Sequence, residues 1–104
     1  RKGGHCLHDQ VNDVVVGIDH GLTFHPAWKL RTVIWDFAGE PVPAPAADDV
    51  GRVLTELDTG PLGTRLGALL EPVEIDAIRR RACALLAEGL PLPDDYHSTP
   101  WPLV

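Results

Sequence analysis

Asp19 sits in a run whose residue types suit it to holding a cation: Ile18-Asp19-His20-Gly21-Leu22-Thr23-Phe24. A carboxylate there leaves an apolar, β-branched stretch, and Gly21 follows two places on. Carboxylate oxygens suit a hard cation held against phosphate, and a glycine beside them permits positive φ and close ligand approach. A second segment, Arg1-Lys2-Gly3-Gly4-His5, is a basic, glycine-rich loop that feeds a strand. Taken alone, Asp-x-Gly after a strand is also the pattern of a simple turn. A different chemistry is offered by His5, Cys6, His8, His20 and His25, which are five potential transition-metal ligands within 21 residues. Their spacing matches no common zinc pattern, and Cys6 would point away from its neighbours along a strand. Nucleophilic catalysis by Cys6 with a nearby His is weaker still, since a strand Cys is usually a small buried hydrophobe.

The elements that must position these groups follow from patterning. Cys6 to His8 and the run Val14-Val15-Val16-Gly17-Ile18 flank the polar stretch Asp9-Gln10-Val11-Asn12-Asp13, which predicts a β-hairpin over 6–19. Its second strand should be mostly buried, because its apolar residues do not alternate. An antiparallel hairpin brings His5 and Asp19 to the same end, where they could face one site. From Trp28 to Gly39 the residues Leu30, Val33, Ile34 and Phe37 fall at i, i+3, i+4 and i+7, predicting a helix, with a strand as the alternative. Glu40 to Pro45 should be an extended connector, given its three prolines.

Asp48 or Asp49 can then cap a helix carrying Val50, Val53, Leu54 and Leu57 and ending near Gly60. A short helix over Pro61 to Leu70, weakened by Gly63 and Gly67, comes next. The clearest helix runs from Glu71 to Glu88, with Ile75, Ile78, Ala82, Leu85 and Leu86 as its buried stripe, an Asp76 and Arg80 pair at i, i+4, and Gly89 at its end. The run Arg79-Arg80-Arg81 reads as a solvated helix face. Residues 90–104 are proline-rich and should lie along the domain as a tail anchored by Trp101 and Leu103. The expected fold is therefore α+β and mainly α: a single partial domain with a motif-bearing segment at 1–24, a helical part at 25–89 and the tail.

On these residues the sequence resembles the phosphatidylinositol 3-/4-kinase-related kinases, in particular the type II phosphatidylinositol 4-kinase-like branch and its actinobacterial members. That family has a catalytic loop Asp-Arg-x-x-x-Asn, a hairpin, and then Ile-Asp-x-Gly-Leu-x-Phe. Arg1 to His5 is similar to the loop from its second residue onward, and 18–24 matches the second motif in full. Leu30-Arg31-Thr32-Val33-Ile34-Trp35, Ala38-Gly39-Glu40-Pro41 and Pro100-Trp101-Pro102-Leu103 also look like the actinobacterial members. The resemblance implies part of a kinase-like C-terminal lobe. Asp19 would bridge Mg²⁺ to the phosphates of ATP, with Gly21 beside it, and Arg1 would adjoin a catalytic Asp not present in the chain. Lys2 would offset charge on transferred phosphate. His5 stands where the family has Asn, which favours softer metals or a loop-orienting hydrogen bond. The nucleotide loop and strand Lys are absent, so the resemblance implies activity for a longer parent protein and not for these residues alone.

The 104 residues carry 9 Lys and Arg against 15 Asp and Glu, a formal charge of −6. That balance excludes sequence-independent nucleic-acid binding, which needs clustered cations. No apolar run approaches the ~20 residues that span a bilayer, and no signal peptide opens the chain, so neither membrane insertion nor secretion is expected. Two cysteines suit a reducing cytoplasm. A chain that starts with Arg1 and holds no Met reads as a piece of a longer protein. Its partners would be ATP, an unidentified phosphate acceptor and the missing N-terminal part, and a lobe cut at its active-site edge should tend to self-associate. The alternative is a non-catalytic helical interaction module or pseudokinase, with Trp28, Trp35 and Trp101 as core and partner surface.

Overall fold

The computed structural model describes residues 2–93, and Arg1, Tyr96, Trp101 and Leu103 lie outside them. The fold is α+β: a two-stranded antiparallel ribbon followed by three helices. A 3-10 turn over Gly3–His5 leads into β1 (Cys6–Asp9), which pairs with β2 (Val14–Gly17) in the register Cys6↔Gly17, Leu7↔Val16, His8↔Val15 and Asp9↔Val14.

The ribbon's turn is built by Asp9. One carboxylate oxygen accepts the Val11 and Asn12 amides at 3.0 and 3.3 Å, and the other accepts Asn12 Nδ2 at 2.7 Å. These donors, first the Asn12 side chain and then the two amides, hold the Asp9 carboxyl below the ordinary carboxylate range. A carboxyl lowered on folding stabilises the turn above its unfolded value of about 3.9, and that contribution is lost as pH falls through the lower folded value. Protection of the Val11 and Asn12 amides, measured against their intrinsic exchange rates at each pH, should therefore fall on acidification below about pH 4, and Asp9→Ala should abolish this pH dependence.

The second strand is not buried, contrary to its apolar sequence. Val14, Val15 and Val16 are 48%, 73% and 44% exposed, so both faces of β2 are open. A continuous apolar strand requires layers on both sides, and among the described residues the helices pack chiefly on one another.

Residues 28–39 form neither the expected helix nor the alternative strand. Turn bonds from the Ala38 amide to the Trp35 carbonyl and from the Glu40 amide to the Phe37 carbonyl, both 3.1 Å, shape this connection. The 3.6-residue spacing is present, but Thr32, Val33, Ile34 and Trp35 are weak helix formers, and a short helix without a packed face lacks the stabilisation to nucleate.

Helix α1 (Ala44–Thr59) begins several residues before the aspartates predicted to cap it. Pro45 falls within its first turn, where a missing N–H costs nothing because no intrahelical partner exists. The extended connector shrinks accordingly to 40–43. Helices α2 (Pro61–Leu69) and α3 (Pro72–Glu88) lie where the sequence places them. Glu71 precedes α3 and its amide is received by the Glu74 carboxylate at 3.0 Å, closing a capping box. At the other end Gly89 takes φ +81°, and a Cβ there would lie 2.6 Å from the Glu40 carbonyl oxygen. The next residue donates its amide to that same oxygen at 2.8 Å, tying the end of α3 to the 39–40 corner.

Helices α1 and α3 meet in a seam, and the buried apolar residues among those described are Leu57 of α1 and Ala77 and Ala82 of α3. Of the stripe expected to be buried on α3, Ala82 is buried but Leu86 is 43% exposed, and Ala77, outside that stripe, is buried as well. The seam is latched by Arg79 of α3, whose Nη2 lies 2.8 Å from Asp58 Oδ1 of α1. The expected Asp76–Arg80 pair is present at 3.2 Å. Gly63, which propensity alone marks as a weakness of α2, has a packing role: a Cβ there would meet the Leu57 carbonyl oxygen at 2.1 Å.

Candidate functional site

The ribbon's register brings the two candidate segments together. Beyond Cys6↔Gly17 the ladder continues one step, with the Ile18 amide donating to the His5 carbonyl at 2.8 Å. Asp19 follows immediately, and its Oδ2 lies 3.3 Å from His5 Nε2. The other ring nitrogen, Nδ1, accepts the Lys2 amide at 3.2 Å. The opening glycine turn and the carboxylate thus share one end of the ribbon.

Asp19 has φ +62°, a left-handed conformation that non-glycine residues seldom take. Asp and Asn enter it more readily than other residues, and such backbone is held in place by surrounding contacts at a cost on the order of 1 kcal/mol or more. This revises the role expected of Gly21. Among the described residues the glycines with positive φ are Gly39 and Gly89, so the unusual backbone at this site belongs to the carboxylate itself. Gly21 contributes space instead: a Cβ there would sit 3.7 Å from Asp19 Oδ1, so its absence leaves the flank of that oxygen open.

Lys2, His5, Asp19 and Gly21 line one cleft of about 1140 Å³, whose walls also include Lys29, Arg31 and Arg81. The lining carries four basic side chains, Lys2, Lys29, Arg31 and Arg81, against two acidic ones, Asp19 and Glu88. In a chain with net charge −6, that local inversion of sign favours an anionic ligand. The Asp19 side chain is 61% exposed and accessible from the cleft, whereas that of His5 is 27% exposed.

Sequence reasoning missed Arg81. Assigned to a solvated face with its neighbours, it instead reaches across to the 19–27 segment, donating from Nη1 to the His25 carbonyl at 2.7 Å and from Nη2 to the Thr23 carbonyl at 3.1 Å. Its partners are backbone oxygens more than fifty residues away, and no local pattern announces such a bond. Arg81→Gln should release this segment from α3. Thr23 and His25 donate their amides within it, to His20 and Leu22. Exchange at those two amides should rise by about tenfold, as expected for losing charge-assisted hydrogen bonds, while exchange in α3 stays unchanged.

The four histidines among the five transition-metal candidates are engaged locally, His5 as described above. His8 Nε2 lies 2.9 Å from Asp13, His20 Nε2 lies 3.1 Å from the Gly17 carbonyl, and His25 Nδ1 accepts the Ala27 amide at 3.0 Å. Among the described residues no group of three or more His, Cys, Asp or Glu is placed to hold a metal ion. Cys6 is half-buried in β1 opposite Gly17, and Cys6 and Cys83 are both free thiols. Trp28 is 54% exposed, and the Trp35 indole N–H is shielded from solvent without a hydrogen-bond partner among the described residues.

No family model matches the chain, and no solved structure does. Among curated proteins, Protein Rv2133c of Mycobacterium tuberculosis is 41% identical over 103 residues, an alignment that covers 98% of this chain and 36% of that protein. The chain therefore spans about a third of the length of this relative.

Proposed function

We propose that the chain is a C-terminal-lobe segment of an ATP- and Mg²⁺-dependent phosphotransferase similar to the phosphatidylinositol 3-/4-kinase-related family, with activity residing in a longer protein. The observation that carries this reading is the placement of Asp19 beside His5 in the lining of a cleft that also carries four basic side chains. Asp19 would hold the cation through a carboxylate oxygen, a donor set that fits Mg²⁺, which commonly takes one or two carboxylates and completes its shell with phosphate oxygens and water. The bound ion would supply charge neutralisation on the transferred group. Lys2 adds a positive charge to the same lining, and Arg1 would adjoin the catalytic base. The remaining requirement is positioning, served by the Arg81 bonds that hold the segment after Asp19 against α3. Two free thiols suit a reducing compartment such as the cytoplasm.

A chain extended to the relative's length should transfer phosphate from ATP only with Mg²⁺ present; turnover unaffected by chelation would overturn the reading. The second reading, a non-catalytic interaction module or pseudokinase, draws support from the exposure of Trp28, Val15 and Phe37, at 54%, 73% and 59%. The same apolar surface would make the isolated chain self-associate, and the extended chain would then bind a partner without turnover.

A further inference from the structure

We infer that His5 is a positioning residue that presents Asp19 to the cation, and not itself a cation ligand; this rests on the magnesium reading of Asp19 above. The Lys2 amide can only donate, so His5 Nδ1, 3.2 Å away, is the acceptor. A neutral imidazole has one acceptor nitrogen and one N–H, which puts the hydrogen on Nε2. That nitrogen lies 3.3 Å from Asp19 Oδ2, so it faces the carboxylate as a donor. A protonated Nε2 has no lone pair to give a metal.

The division of labour follows from how firmly each residue is held. His5 donates its amide to the Lys2 carbonyl at 3.0 Å, receives the Ile18 amide on its own carbonyl at 2.8 Å, and is half-buried. Asp19 is mostly exposed. The better-held ring therefore restrains the freer carboxylate. With Oδ2 turned to His5, the oxygen left for a ligand is Oδ1, beside the open flank of Gly21. The carboxylate is offered through one oxygen, in an orientation set before the ligand arrives. The imidazole held by Lys2 works through its N–H, and a Gln side chain could reproduce the arrangement, its oxygen taking the Lys2 amide and its NH₂ facing Asp19.

The test uses the whole 104-residue chain with ¹⁵N and ¹³C labels and Mg²⁺ alone as the probe. Long-range ¹⁵N–¹H spectra should show His5 protonated at Nε2 and bare at Nδ1, both before and after Mg²⁺, while the Asp19 carboxyl ¹³C signal moves with Mg²⁺. A bare Nε2 before addition, or loss of its proton on addition, would overturn the inference. An Asp19 signal indifferent to Mg²⁺, with the His5 pattern as expected, would instead overturn the magnesium reading on which it rests. As a further arm, His5→Ala should weaken the Mg²⁺ response of Asp19 about tenfold, the lower end for a supporting partner, and His5→Gln, which restores an N–H donor, should recover most of it. Failure of that rescue refutes positioning through the N–H.

Discussion

Asp19→Asn, made in a chain long enough to turn over ATP, is expected to lower Mg²⁺-dependent phosphate transfer by about 10³-fold or more, which corresponds to about 4 kcal/mol of lost transition-state stabilisation. The substitution is close to isosteric, and Asn tolerates left-handed backbone about as well as Asp, so the φ of +62° at this position is no obstacle to folding. What changes is the charge. An amide oxygen carries no formal charge to hold a divalent ion against phosphate, and its NH₂ group presents donors where the ion needs acceptors. The comparison with Asp19→Ala is informative, because Ala loses the charge and also sits poorly at positive φ. The Asn variant should keep its circular dichroism and melting temperature while losing turnover. Undiminished turnover in Asp19→Asn would defeat the phosphotransferase assignment.

Leu57→Ala is expected to be the most damaging single truncation for the fold. Leu57 is 6% exposed, and the other buried apolar residues of the described chain, Ala77 and Ala82, are already minimal in size. Nothing nearby can grow into the space, so the loss combines the transfer free energy of the removed carbons with a residual cavity, about 3 kcal/mol in all. For a domain of this size each kcal/mol moves the midpoint by roughly 4–8 °C, so the melting temperature should fall by more than about 10 °C. Val53→Ala on the same helix provides the contrast. Val53 is 40% exposed, and its truncation should cost under about 1 kcal/mol. Equal losses for the two variants, read by thermal or urea unfolding, would show that the α1–α3 seam is not where the stability resides.

The helices α2 and α3 were legible because their signals are local: a proline in the first turn, a glycine at the end of α3, and apolar residues repeating at helical spacing. The Asp19 site was legible for a similar reason. Antiparallel pairing of two short strands fixes which residues share an end, and that arithmetic alone brings His5 to Asp19. The segment 28–39 was misread because its helical spacing has no packed face to support it. The role of Gly21 was misread because a motif shows which residue is small, while the backbone angle that matters belongs to Asp19.

Composition and short-range pattern thus determined the α+β character, the helix limits of the second half, and the meeting of a carboxylate with an imidazole at one end of a ribbon. Tertiary structure alone decided three things: that α3 is latched to α1 through Arg79 and Asp58, that Arg81 clamps the carbonyls of Thr23 and His25, and that both faces of β2 stay open. Helical repeats and strand register act between near neighbours in the chain and leave a period in the sequence. Helix approach and bonds to distant backbone oxygens join residues with no such spacing, and every residue supplies the same carbonyl.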